Sequence, residues 1–162
     1  MDITFQSSVI FIKDLGIMKD FYLHTLMQEI EHDFGNCLLF KGGFTLWSLQ
    51  PEYPLAQKMG TCYYPSGNKN LELCFETESF DEIYSNLIQK KVKVLHDVEE
   101  ERWGQKTFRF YDPEDNLIEV GESIPCFVKR FYAQGMTVEE VAARTSVSSA
   151  YIEQIISTNP VA

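Results

Sequence analysis

The strongest constraint on this chain is an internal repeat with a period of 65 residues. Such self-similarity is the mark of two copies of one supersecondary unit. Residues 5–12 (FQSSVIFI) are apolar and β-branched, and Asp14 follows in position to cap a helix whose Leu15, Met18, Tyr22 and Leu26 share one face. Residues 71–77 (LELCFET) are strand-like again. There, Ser79-Phe80-Asp81-Glu82 reads as a capping box opening a helix with Phe80, Ile83, Leu87 and Ile88 inward. Sliding one half by 65 residues sets Asp14 on Ser79, Leu15 on Phe80, Met18 on Ile83 and Tyr22 on Leu87.

Three short strand-like runs follow each helix. In the first half they are residues 28–34, 36–41 and 44–49, punctuated by Gly35 and Gly42-Gly43. In the second they are residues 92–96, 106–111 and 117–120, with Asp112-Pro113-Glu114-Asp115-Asn116 as the turn before the last. The predicted fold is α+β, a βαβββ module made twice. Residues 51–68 join the halves through three prolines, two glycines and Tyr53, Tyr63 and Tyr64. At eighteen residues that loop exceeds the usual connection.

Beyond Glu122 the strand pattern stops at Pro125, and residues 125–162 read as helical. Phe127, Val128, Phe131 and Tyr132 form one stripe, Thr137-Val138-Glu139-Glu140 is a capping box, and Ser148 caps a helix carrying Tyr151, Ile152, Ile155 and Ile156. This segment is too short for an independent core, so it is expected to pack on the body or on another subunit. The expected organisation is a domain over residues 1–124, with modules over 4–50 and 69–122, and an extension over 125–162.

Charge narrows the partners. The formal charge is −10, and residues 126–162 hold as many acids as bases, so the whole excess lies in residues 1–125. An acidic body lacks the lysines and arginines that neutralise phosphates, which argues against nucleic acid or anionic membrane and for a small molecule. The acidic run at residues 97–101 is expected to be a solvated loop. Residues 135–152 resemble a helix-turn-helix, but residues 148–157 contain no Lys or Arg, so the tail is read as a packing module. No targeting signal or long apolar run is visible, and a cytoplasmic location is expected. Cys37, Cys62, Cys74 and Cys126 form no CxxC pair and are expected as reduced, mostly buried thiols.

Three segments together resemble the vicinal oxygen chelate superfamily, which includes glyoxalase I, bleomycin-resistance proteins and extradiol dioxygenases. They are Val9-Ile10-Phe11-Ile12-Lys13-Asp14-Leu15 with Phe21-Tyr22, then Trp103-Gly104-Gln105-Lys106, then residues 108–119 (FRFYDPEDNLIE). The resemblance implies two modules whose sheets curl into a cup, with metal ligands on their first and last strands. Carried onto this sequence, those positions are Ser7, Glu72, Glu119 and one within residues 44–49 (FTLWSL), a run with no His, Asp, Glu, Gln or Cys. His24, His32 and His96 fall away from them.

A non-haem iron triad or a four-ligand zinc site is therefore not expected. Mg²⁺ held by Glu72, Glu119 and waters is the one metal arrangement left open; otherwise no cofactor is expected. Without metal, two adjacent glutamates should raise the pKa of one, making Glu72 and Glu119 the candidate acid–base pair. Alternation along residues 117–120 puts Glu119 opposite Ile118 and Val120, on the cup face; the competing reading pairs it with Arg109 on the neighbouring strand. Trp47 and Trp103 are either packing residues or, with Tyr63 and Tyr64, an aromatic wall as in the bleomycin-resistance branch.

The expected function is binding of a small organic molecule, cationic or aromatic, by a homodimer, with Ser7, Trp47, Trp103, Arg109, Tyr63 and Tyr64 as contacts. A metal-dependent lyase or isomerase like lactoylglutathione lyase is the alternative, and a ligand-sensing DNA-binding regulator a third reading.

Overall fold

The structure is a computed structural model and describes residues 3–60 and 70–158. Each half of the repeat forms a four-stranded mixed sheet with a helix, giving the α+β architecture expected. In the first module β1 (Ser8–Ile12) leads into α1 (Leu15–Asp20), extended by a π-helical turn over Phe21–Thr25. The strands β2 (Ile30–Asp33), β3 (Cys37–Phe40) and β4 (Phe44–Ser48) follow, in the sheet order β1-β4-β3-β2. β1 runs parallel to β4, pairing Ser8 with Phe44 and Phe11 with Trp47. The other pairs are antiparallel, with a bulge between Ile30 and His32.

The second module repeats this order as β5-β8-β7-β6, from β5 (Glu72–Thr77), β6 (Lys93–Glu100), β7 (Lys106–Tyr111) and β8 (Leu117–Glu122) around α3 (Phe80–Gln89). The linking loop also contains a short helix, α2 (Pro54–Met59), entered through Pro54. No described helix is long and apolar enough to cross a membrane.

The 65-residue offset holds for the caps and only partly for the stripe. Asp14 and Ser79 occupy the two N-cap positions, Met18 and Tyr22 are fully buried, and Phe80 and Leu87 are buried. Asp14 accepts a hydrogen bond from the Ile17 amide at 3.0 Å. The Ser79 side chain makes no such cap, and its own N–H donates to Thr77 Oγ1, 3.0 Å away, in place of the expected Glu82 carboxylate. Ile88 is exposed at the edge of the stripe.

The chain divides into two compact units, residues 1–71 with 111–117, and residues 72–110 with 118–162. In the first unit the Asp112–Asn116 turn is organised by the Asp112 carboxylate. It accepts from the amides of Glu114 and Asn116, from the Asn116 side chain, and from the buried Tyr22 hydroxyl at 3.0 Å. Burial lifts the Asp112 pKa against these donors, and burial beside Asp112 lifts that of Tyr22. Glu114 then accepts from the amides of Lys13 and Asp14 at 2.7–2.9 Å, at the entry to α1.

In the second unit the tail forms α4 (Ile124–Ala133), α5 (Val138–Thr145) and α6 (Ser149–Thr158). Thr137 and Glu140 form the expected capping box. Phe127, Val128, Phe131, Val141, Ile152 and Ile155 make a buried cluster, while Tyr132 and Tyr151, expected in the stripes, are exposed. The tail packs on the body of its own chain. Arg130 binds both Glu122 oxygens, Glu100 and the Gly104 carbonyl, and Arg144 reaches the other Glu100 oxygen at 2.8 Å. Both guanidinium groups lie over the Phe131 ring, and Gly104, at φ +91°, leaves room for that ring. The acidic run is therefore no loop: residues 97–100 end β6, and Glu100 is taken up by the tail's arginines.

Candidate functional site

Strand alternation on β7 buries Phe108 and Phe110 completely and leaves Arg109 half-buried between β8 and β6. Its guanidinium gathers the second module's polar side chains. Nε donates to Glu72 Oε1 on β5 at 2.6 Å, Nη2 to Glu119 on β8, and Nη1 to Glu101 Oε1 at 2.9 Å. Nη1 also lies 3.2 Å from His96 Nε2. A guanidinium only donates, so Nε2 accepts, and the His96 proton sits on Nδ1, which donates to the Asp97 carbonyl at 2.7 Å.

Glu119 is paired with Arg109, as the competing reading has it, and the same guanidinium joins it to Glu72. Glu101 and His96 are the members that strand and motif reasoning missed. The pairing of β6 with β7 brings His96 to Arg109, and nothing in local sequence announces it.

Electrostatics at this cluster are set by an excess of carboxylate. Three carboxylates surround one guanidinium whose three nitrogens are all engaged. Burial pushes the Glu119 pKa up; Arg109 opposes this, while Glu72 and Glu101 add to it. The Cys74 thiol, partly shielded from water although the residue as a whole is exposed, is pushed up to about 11 by that desolvation and then by the charges of Glu119 and Glu72. Burial disfavours the charge on Arg109, yet hydrogen bonds to Glu101 and Glu72 and the charge of Glu119 hold its pKa above the ordinary value. Glu119 is accordingly a carboxyl that can hold or release a proton nearer neutrality than an exposed one.

These residues do not fit a divalent ion as arranged. Glu72 and Glu119 already turn oxygens to a fixed cation, and among the described residues no group of three or more His, Cys, Asp or Glu is disposed to hold a metal. In the first unit Ser7 Oγ and Thr45 Oγ1 lie 2.6 Å apart and share one hydrogen bond.

The remaining candidates are dispersed. Trp47, on β4, meets Phe11 and Tyr53 with ring centroids 5.8 and 6.2 Å apart. Trp103 is exposed in the turn before β7 and donates to Gln105 Oε1 at 3.0 Å. Tyr63 and Tyr64 lie outside the described residues. Cys74, expected to be buried, is exposed, and Cys37 and Cys126 are half-buried.

A repeated βαβββ module with carboxylates on the first and last strands of its second copy defines a class, and sequence comparison agrees with it. The glyoxalase-like domain model matches residues 5–125, and the chain belongs to that family, within the vicinal oxygen chelate superfamily. A crystal structure of a protein of unknown function from Agrobacterium tumefaciens str. C58 is 32% identical, with TM-score 0.66, over 76% of this chain and 97% of its own. Lactoylglutathione lyase from Agrobacterium tumefaciens is 19% identical, with TM-score 0.54, over 74% of this chain and 93% of its own. The genomically encoded fosfomycin resistance protein FosX from Listeria monocytogenes is 17% identical, with TM-score 0.53, over 76% and 95%. At such identities the last two share the fold. No curated protein matches the sequence.

Proposed function

We propose that this glyoxalase-like chain binds a small organic cation at the acidic face of its second sheet, without a divalent metal. The observation that carries the reading is the imbalance around Arg109. Its three nitrogens are spent on Glu72, Glu101 and Glu119, while the three carboxylates retain unused acceptor capacity and net negative charge. The complement of such a face is a donor-rich cation. Arg109 acts as the resident counter-charge that lets the carboxylates stay close together, and Glu119 is the group best suited to exchange a proton with a bound molecule. The excess negative charge of residues 1–125 steers cations toward the same face.

The test is a matched series on one ring system: 1-naphthylmethylammonium, 1-naphthalenemethanol and 1-naphthoate, titrated calorimetrically at low and high salt. The cation should bind best and weaken with salt, and the Glu72→Gln/Glu119→Gln variant should lose about tenfold for the cation alone. Equal binding of the anion, or an unchanged cation affinity in the variant, refutes the proposal.

A further inference from the structure

The first unit contains an open cavity of about 310 Å³ walled by Phe34, Asn36, Cys37, Trp47 and Tyr53. Register creates it. Cys37 on β3 lies directly opposite Trp47 on β4, Phe34 and Asn36 belong to the turn entering β3, and Tyr53 precedes α2. The Trp47 and Tyr53 rings meet at 78°, a floor and a wall onto which a planar ring can stack with its edge toward the second aromatic. Phe34 and Tyr53 are 66% and 39% exposed, so apolar ring surface is left in water that packing of the unit itself does not cover.

The polar groups here are few and directed. Asn36 Nδ2 donates to the Tyr53 hydroxyl at 2.6 Å, which fixes the phenol. Among the described residues the phenol's own hydrogen has no protein acceptor, and Asn36 Oδ1 has no protein donor. The pair therefore offers a donor and an acceptor side by side. No wall residue carries a formal charge, and burial pushes the Cys37 thiol up, keeping it neutral. The volume is at the lower end of the range for small-molecule sites, about 300–1,000 Å³.

From this geometry we infer a second binding site, specific for an uncharged planar aromatic of one or two rings that bears an adjacent hydrogen-bond donor and acceptor, such as a lactam. It stands on the first unit alone and does not depend on the Arg109 cluster.

The full chain is titrated with 2-quinolinone, naphthalene and 1-naphthylmethylammonium, following the indole N–H signals by NMR, with Trp103→Phe used to assign the two. Alkylation of Cys37 by iodoacetamide is followed in parallel by peptide mass. 2-Quinolinone should shift the Trp47 signal saturably and slow alkylation of Cys37. Tyr53→Phe should weaken 2-quinolinone about tenfold and leave naphthalene unchanged. Trp47→Leu should abolish the protection of Cys37, while Glu72→Gln/Glu119→Gln should retain it, which separates this site from the acidic face. A Trp47 shift that does not saturate, protection that survives Trp47→Leu, or tighter binding of the ammonium compound at Trp47 overturns the inference. Should Trp47→Leu fail to fold, the Tyr53→Phe comparison and Cys37 protection decide it.

Discussion

Replacing Arg109 by Met keeps a side chain of similar reach and removes the positive charge that Glu72, Glu101 and Glu119 share. Exposed ion pairs contribute about 0–1 kcal/mol, whereas breaking a buried one costs about 3–5 kcal/mol. The side chains here are 20% exposed for Arg109 and 11–29% for the three glutamates, so the cost at neutral pH should be about 2–3 kcal/mol. The pH dependence is the sharper test. Glu119 already has a raised pKa through burial, and Arg109 is what opposes the rise. Without Arg109 the folded state holds that proton to higher pH, while the unfolded carboxyl still titrates near about 4.3. Below that value both states are protonated and nothing is lost. As pH rises through the folded value, the folded variant must ionise a carboxyl with no cation beside it, so stability falls. Urea unfolding of both proteins between about pH 4 and pH 8 should give a stability gap that is small at the acid end and widens upward. A gap that is constant with pH, or absent at neutrality, would show that Arg109 works through its aliphatic packing and that the carboxylates are not coupled through it.

The same substitution frees Glu72 and Glu119, so Mn²⁺ should raise the melting temperature of Arg109→Met progressively with concentration and leave the parent protein unmoved. Two glycines separate steric from backbone effects. Gly104 and Gly135 have φ of +91° and +92°, but a Cβ at Gly104 would lie 2.4 Å from the Phe131 ring, whereas one at Gly135 meets nothing within 4 Å. Gly104→Ala should therefore cost about 2–4 kcal/mol and Gly135→Ala about 1 kcal/mol, read by chemical denaturation. Tyr22→Phe removes one donor to Asp112 while the Asn116 and Glu114 donors remain, and should lower stability by about 1–2 kcal/mol with little change in the folded spectrum.

Features with short-range causes were legible in the sequence. Asp14 and Thr137 cap helices because their side chains reach amides three residues on, and the period of 65 exposed both modules because each builds its strands and helix locally. Ser79 failed as a capping box since Thr77, two residues back, competes for the same amide. The acidic run departs from the loop expectation for a longer-range reason. Glu100 and Glu101 hold strand and turn positions because Arg130, Arg144 and Arg109 neutralise them, and those partners are 8 to 44 residues away. Of the site, Glu72 and Glu119 were marked by the superfamily resemblance, with the repeat carrying the position to Glu72 and alternation assigning Glu119 a face, whereas His96 joins through a strand pairing that only the assembled sheet supplies.

Glu114 grips the amides of Lys13 and Asp14 across about a hundred residues, and Asp112 grips Tyr22 across ninety. This has a kinetic consequence. The first unit borrows its last piece from residues 111–117, so its amino-terminal part must wait while residues 72–110 are made. At translation rates of about 5–20 residues per second that delay is on the order of seconds, long beside the formation of a helix or a hairpin. Until the second module's closing turn arrives, the nascent first module holds α1 without its carboxylate clasp and Tyr22 without its acceptor. Completion of its fold is therefore timed by synthesis of the second.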